Sequence, residues 1–122
     1  MILADTSVWI DHLRSGDEKL ASLLHDSLVL IHPFVVGELA CGNLRDRESV
    51  LGLLQALPRA TVATDTEVLF FIERHALMGR RIGYIDAHLL ASASLSRTAR
   101  LWTRDARLGK VAAEMGQGYE TN

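Results

Sequence analysis

An apolar run at the start of the chain ends at an acid and two hydroxyls, Ile2-Leu3-Ala4-Asp5-Thr6-Ser7. A short apolar run that stops at polar residues is typical of a buried parallel strand that ends at a polar crevice. In open α/β sheets, ligands bind beyond the carboxyl ends of the strands, which is where Asp5 would lie. Asp5 also suits the N-cap of a helix that begins near Ser7, because Asp, Ser and Thr prefer that position. Both interpretations fit these residues.

Strands and helices alternate along the rest of the chain. Apolar runs at residues 28–31, 60–63 and 101–102 predict three further strands, and amphipathic segments with helix-start and helix-stop residues separate them. This alternation predicts an α/β fold, a three-layer α/β/α sandwich around a central parallel sheet. The strand order stays open. Beyond Gly116 the pattern fades, and no apolar strand is expected there.

Composition narrows the class of protein. A chain of 122 residues suits one domain, expected to span residues 1–122. With 48% hydrophobic and 23% charged residues, it is not expected to be disordered. No apolar run approaches the roughly 18 residues of a membrane span, and no basic flank precedes the first strand. We therefore expect a cytoplasmic protein with no membrane partner.

Charge is distributed unevenly along the chain. The net charge is −2, but residues 1–73 hold 5 Lys/Arg against 11 Asp/Glu, and residues 74–122 hold 8 against 4. A basic last third could bind phosphates, although a solvated helix face produces the same excess.

Four acids fall where strands end or helices begin: Asp5, Glu38, Asp86 and Asp105. On a parallel sheet all four can meet at one edge. Clustered carboxylates repel one another unless a cation neutralises them, so the pattern indicates a metal site. An all-oxygen ligand set selects a hard ion such as Mg²⁺ or Mn²⁺. Zinc would require His or Cys, and the five histidines are scattered without ligand spacing.

Four motifs carry a family resemblance. In chain order they are Asp5-Thr6-Ser7-Val8-Trp9-Ile10, Pro33-x-x-x-Gly37-Glu38-Leu39, Gly83-x-x-Asp86-Ala87 and Thr103-x-Asp105-x-x-Leu108. With these motifs in this order, the chain resembles PIN-domain proteins, in particular the VapC ribonuclease toxins of VapBC toxin–antitoxin pairs. The end of the chain departs from that pattern, because many relatives carry an apolar strand after the position of Gly116.

The resemblance implies an endoribonuclease toxin that depends on Mg²⁺, with Mn²⁺ as a substitute, and hydrolyses RNA phosphodiester bonds. It places Asp5, Glu38, Asp86 and Asp105 on the acidic, metal-binding positions of the family. It places Thr103, and also Thr6, on the hydroxyl positions. It further implies a homodimer and a cognate VapB-type antitoxin that covers the site.

If the acidic site accepts RNA, the basic last third supplies the candidates for contacts to backbone phosphates. These candidates are Arg80, Arg81, Arg104, Arg107 and Lys110. No residue that would read a base is identifiable from the sequence.

Two alternatives come from other functional classes. A phospho-accepting receiver domain would require a second acid beside Asp5 and a lysine after the last strand, but Thr6 follows Asp5 and Arg104 precedes Asp105. A catalytically silent protein-binding module is compatible with the apolar composition. The presence of all four acids argues against it.

Overall fold

A computed structural model describes residues 1–120 of the chain. Within these residues the sheet has three short parallel strands, β1 (Ile2–Ala4), β2 (Val29–Leu30) and β3 (Arg100–Trp102). Their order in the sheet is β2-β1-β3. Leu3 of the central strand lies opposite Leu30 on one side and Leu101 on the other. β1 is buried throughout, as expected for a parallel strand covered on both faces.

Helices connect the strands and complete a three-layer α/β/α fold, which confirms the predicted fold class. Residues 1–120 contain α1 (Thr6–Ser15), α2 (Glu18–His25), α3 (Pro33–Ala40), α4 (Arg47–Gln55), α5 (Asp65–Arg74), α6 (Tyr84–Leu95) and α7 (Ala106–Glu114). None of these helices is long and apolar enough to cross a membrane.

The prediction of a strand at residues 60–63 is wrong. Only an isolated bridge joins Ile31 to Arg59, with Ile31 donating to the Pro58 carbonyl and Ala60 donating to the Ile31 carbonyl. The ladder stops there because Pro33 has no N–H and begins α3 immediately after His32. The apolar pattern indicated a strand, but the neighbouring strand ends too soon to pair with it.

The end of the chain returns to the sheet, which the sequence pattern did not indicate. Leu101 pairs with Gly118 in a parallel bridge: its N–H donates to the Gln117 carbonyl, and its carbonyl accepts from the Tyr119 N–H. Backbone bonds of this kind require no apolar run. Gly118 also packs tightly, because a Cβ there would lie 3.3 Å from the Ala113 nitrogen. Of residues 116–122, the last two lie outside the described residues.

The sheet places the segments that follow β1 and β3 side by side at the candidate site. The N–H of Asp5 donates to the Trp102 carbonyl at 2.9 Å, so the residue after β1 lies beside the residues after β3. The predicted convergence at one sheet edge therefore rests on backbone pairing between β1 and β3.

Candidate active site

Asp5 is the most buried of the four acids, with 6% of its surface exposed. One carboxylate oxygen accepts hydrogen bonds from the Ser7 N–H at 3.0 Å and from the Ser7 hydroxyl. The other accepts from the Thr103 hydroxyl at 2.5 Å. Asp5 is thus the N-cap of α1. The capping interpretation is confirmed, and the same carboxylate faces the residues that follow β3.

The two hydroxyls that bind Asp5 also hold the segment after β3. Thr103 Oγ1 accepts the Asp105 N–H at 3.0 Å, and Ser7 Oγ accepts the Arg104 N–H at 3.0 Å. Each hydroxyl therefore donates a hydrogen bond to the Asp5 carboxylate and accepts one from a backbone N–H of the segment after β3. Thr103 was predicted as a site residue, whereas Ser7 was assigned no such role. The sequence feature that could have identified Ser7 is a hydroxyl two residues after the acid that ends the strand.

Glu38 reaches the site from α3. His32 caps that helix, because its Nδ1 accepts the Phe34 N–H at 3.0 Å. Burial, followed by the charges on His88 and Arg59, lowers the pKa of His32 to about 4, so the ring is neutral at pH 7 and can accept this bond. One turn into the helix, Glu38 Oε1 accepts the Thr6 hydroxyl at 2.6 Å. This bond ties α3 to α1.

Asp86 is half-buried in the first turn of α6, and its Oδ2 accepts the Gly83 N–H at 3.0 Å. Burial raises its pKa, and the Gly83 N–H opposes that effect. The charges on Asp105, Asp5 and Glu38 raise the pKa further. Asp5, Glu38 and Asp105 therefore lie near enough to Asp86 to affect its ionisation.

The carboxylates are close but do not form a closed cage. Within residues 1–120, no three His, Cys, Asp or Glu side chains are arranged to hold a metal ion between them. Each acid instead accepts hydrogen bonds from a hydroxyl or a backbone N–H of this chain. Asp105 Oδ1, for example, caps α7 by accepting the N–H groups of Arg107 and Leu108.

Even so, the donor set suits a hard divalent cation. Of the eight carboxylate oxygens of these four acids, three accept no hydrogen bond from the described residues: Glu38 Oε2, Asp86 Oδ1 and Asp105 Oδ2. Hard cations are held by a few carboxylate oxygens together with water and substrate phosphate. The unused oxygens and the raised pKa of Asp86 are the features that such an ion would relieve.

The predicted basic residues fall into two groups. Arg80 forms two hydrogen bonds with the Glu114 carboxylate, at 2.8 and 3.0 Å. Arg104 pairs with Asp11 at 2.7 Å and with Asp17, and its guanidinium lies over the Trp102 ring. In residues 1–120, the other three are exposed and take part in no ion pair: Arg81, Arg107 and Lys110.

Comparison with known proteins assigns this arrangement to a family. The family model described as PIN domain matches residues 2–114. The chain belongs to the PIN-domain family. The matched region of this PIN domain includes all four acids, both hydroxyls that hold Asp5, and the exposed basic residues.

Two curated relatives agree with the assignment. The PIN domain is similar to Ribonuclease VapC32 from Mycobacterium tuberculosis strain CDC 1551 / Oshkosh and to the protein of the same name from strain ATCC 25618 / H37Rv. Each is 50% identical over 116 residues, which cover 95% of this chain and 94% of the relative. The similarity therefore extends over nearly the full length of both proteins.

The site predicts opposite effects of two Asp-to-Asn substitutions on the metal-free protein. Because the folded pKa of Asp86 lies above its ordinary value of 3.8, ionisation of Asp86 costs folding free energy at pH 7. Asp86→Asn should raise Tm at pH 7, and the gain should disappear as the pH falls towards 3.8. Asp5→Asn replaces an oxygen that accepts a buried hydrogen bond, so it should cost about 1–3 kcal/mol.

Thermal denaturation in EDTA across this pH range measures both effects. A lower Tm for Asp86→Asn at pH 7 would contradict the electrostatic description of the site. An unchanged Tm for Asp5→Asn would show that the hydroxyl network contributes little to stability.

Proposed function

We propose that this PIN domain is a divalent-metal-dependent endoribonuclease toxin, acting as one nuclease domain in the cytoplasm. The observation that supports the proposal is the position of the acids: Asp5 and Asp105 follow adjacent paired strands, and the charges on Asp5, Glu38 and Asp105 raise the pKa of Asp86. The names of the two relatives, both called ribonucleases, support RNA as the substrate.

Each acid has a proposed role. Asp5 and Asp86 are the principal ligands of the ion, while Glu38 and Asp105 hold a second ion or orient the attacking water. Ser7 and Thr103 fix the direction of the Asp5 carboxylate through hydrogen bonds to both of its oxygens. When bound, Mg²⁺ or Mn²⁺ supplies charge neutralisation and Lewis-acid assistance for phosphodiester hydrolysis.

Metal dependence is the first test. RNA cleavage should stop in EDTA, return with Mg²⁺ or Mn²⁺, and stay low with Ca²⁺, whose larger and looser coordination positions a nucleophile poorly. Cleavage of a labelled RNA, followed on denaturing gels with each ion, measures this. Asp5→Asn serves as the inactive control for contaminating nucleases, and full parental activity in EDTA would refute the proposal.

The exposed cations support a path for the RNA backbone beside the acids. Arg107 and Lys110 lie on α7, which Asp105 caps, and Arg81 precedes the helix that carries Asp86. Arg81 has a φ of 63°, a left-handed conformation that is rare outside glycine and raises the conformational energy of an arginine. Arg80 and Arg104 are paired with acids, so we assign phosphate binding first to the other three residues.

Substitution of Arg81 tests this path. Arg81→Ala should weaken RNA binding several-fold and lower the slope of log K against log salt by about 0.7, the value for one lost contact to single-stranded nucleic acid. Arg97→Ala, which removes an exposed arginine beyond the far end of α6, is the matched control. Fluorescence anisotropy over a salt series measures both variants. Equal slopes for parent and Arg81→Ala would exclude a phosphate contact at this position.

A groove of about 630 Å³ is the proposed site of a VapB-type antitoxin. Apolar side chains from α1, α3 and α4 line it, and Glu38 lies on its wall. A partner segment with apolar side chains would fill the groove and reach the acidic site at the same time. The lining includes Ile10, Leu13, Leu39 and Val50, with Arg14 and Arg45 available to acidic groups of the partner.

Leu13→Glu tests the groove, because it places a charge on a side chain that is 39% exposed and lines the groove. The probe is the protein encoded immediately upstream, co-expressed with the PIN domain. Leu13→Glu should weaken the affinity for this protein at least about tenfold, because a buried unpaired charge is costly. Leu53→Glu, on an α4 residue that is 71% exposed and absent from the groove lining, should bind like the parent. Equal binding by all three proteins would place the antitoxin elsewhere.

The exposed apolar face of α5 and α6 is the proposed contact with a second copy of the chain. Phe70, Leu69 and Leu95 are exposed there, beside a cleft of about 490 Å³. Glu67 and Arg74 line the same cleft, and opposite charges on one surface can pair across a two-fold axis. This face lies on different helices from the antitoxin groove, so the two partners would not compete.

A further inference from the structure

Tyr84 is an exposed aromatic residue two positions before Asp86. It is the first residue of α6, and 45% of its surface is exposed. The preceding residue, Gly83, donates its N–H to the carboxylate of Asp86. The Asp86 carboxylate therefore turns back to the same end of the helix from which the tyrosine projects.

Two contacts fix the orientation of the Tyr84 ring. Its edge-to-face contact with His88 has a centroid separation of 4.6 Å and an interplanar angle of 86°. Its hydroxyl donates to Asp65 Oδ1 at 3.1 Å. A ring that is already held in one orientation loses little conformational entropy when a ligand stacks on it.

The support beneath Tyr84 connects the two helices that carry site acids. His88 is 1% exposed and packs against Phe34 of α3 at a centroid distance of 4.6 Å. Phe34 lies four residues before Glu38, on the same face of α3. Aromatic contacts thus run from the helix of Glu38 to the exposed ring at the start of the helix of Asp86.

We propose that Tyr84 is a stacking platform for an unpaired base next to the scissile phosphate. This proposal rests on the proposed nuclease function. Sequence-tolerant stacking of bases on aromatic rings is a general mode of single-strand recognition, and a base within a duplex cannot reach such a ring. Arg81, three residues earlier, offers a cation to the adjoining phosphate.

The first experiment separates stacking from the other roles of Tyr84. Parent, Tyr84→Phe and Tyr84→Leu are titrated with a fluorescent, unstructured RNA in Ca²⁺. Tyr84→Leu should bind about tenfold more weakly, the effect expected for one lost stacked base, and Tyr84→Phe should bind like the parent. Leu53→Ala removes a side chain that is 71% exposed on α4 and belongs to none of the proposed binding surfaces, so it should leave RNA affinity unchanged.

A second experiment varies the RNA as well as the protein. One abasic nucleotide is moved along the strand, and binding to parent and Tyr84→Leu is compared at each position. Loss of the stacked base should weaken parent binding by the same factor as Tyr84→Leu, and the two changes together should cost no more than either one. A 2-aminopurine at that position should lose fluorescence on binding the parent only.

The outcomes distinguish the platform from the nuclease function. If the parent cleaves RNA in Mg²⁺ but Tyr84→Leu binds equally well, the platform is refuted and the nuclease function stands. If Tyr84→Leu has a lower Tm with unchanged RNA affinity, Tyr84 only supports α6, which also refutes the platform. If the parent neither binds nor cleaves RNA, both proposals fail.

Discussion

The hydrogen bonds that Asp5 accepts from Ser7 and Thr103 are the interaction on which the rest of the site depends. A carboxylate with 6% exposure cannot be left without partners, because burying a charge is costly unless donors surround it. One donor, Ser7, lies at the start of α1. The other, Thr103, follows β3 and is 98 positions from Asp5 in the chain. The hydrogen bonds of one buried acid therefore join the segment after β1 to the segment after β3.

The other three acids are each held through one carboxylate oxygen. Glu38, Asp86 and Asp105 each accept hydrogen bonds at one oxygen and keep the other without a hydrogen bond within residues 1–120. The bonds of Asp86 and Asp105 are helix-capping contacts, so the contacts that stabilise the starts of α6 and α7 also orient these two acids. This double use explains why the capping and catalytic interpretations of the same residues are compatible.

The surface around the acids is divided among different tasks. Arg80 and Arg104 bind acids of this chain and hold α7 and the end of β3 in place. Arg81, Arg107 and Lys110 remain exposed next to the site. The apolar groove at Glu38 and the aromatic ring at Tyr84 occupy separate positions around the acids. The proposed antitoxin contact and the proposed base contact therefore use different residues.

The sequence alone determined the fold class and selected the four acids as candidates, because both depend on local patterns. Periodicity distinguishes strands from helices, and strand ends and caps select carboxylates and hydroxyls. Only the tertiary structure decided the β2-β1-β3 order, the bridge at Arg59 where a strand at residues 60–63 was predicted, and the return of the chain end to Leu101. It also decided which arginines are already paired. These features depend on which elements become neighbours, and spacing along the chain does not encode that.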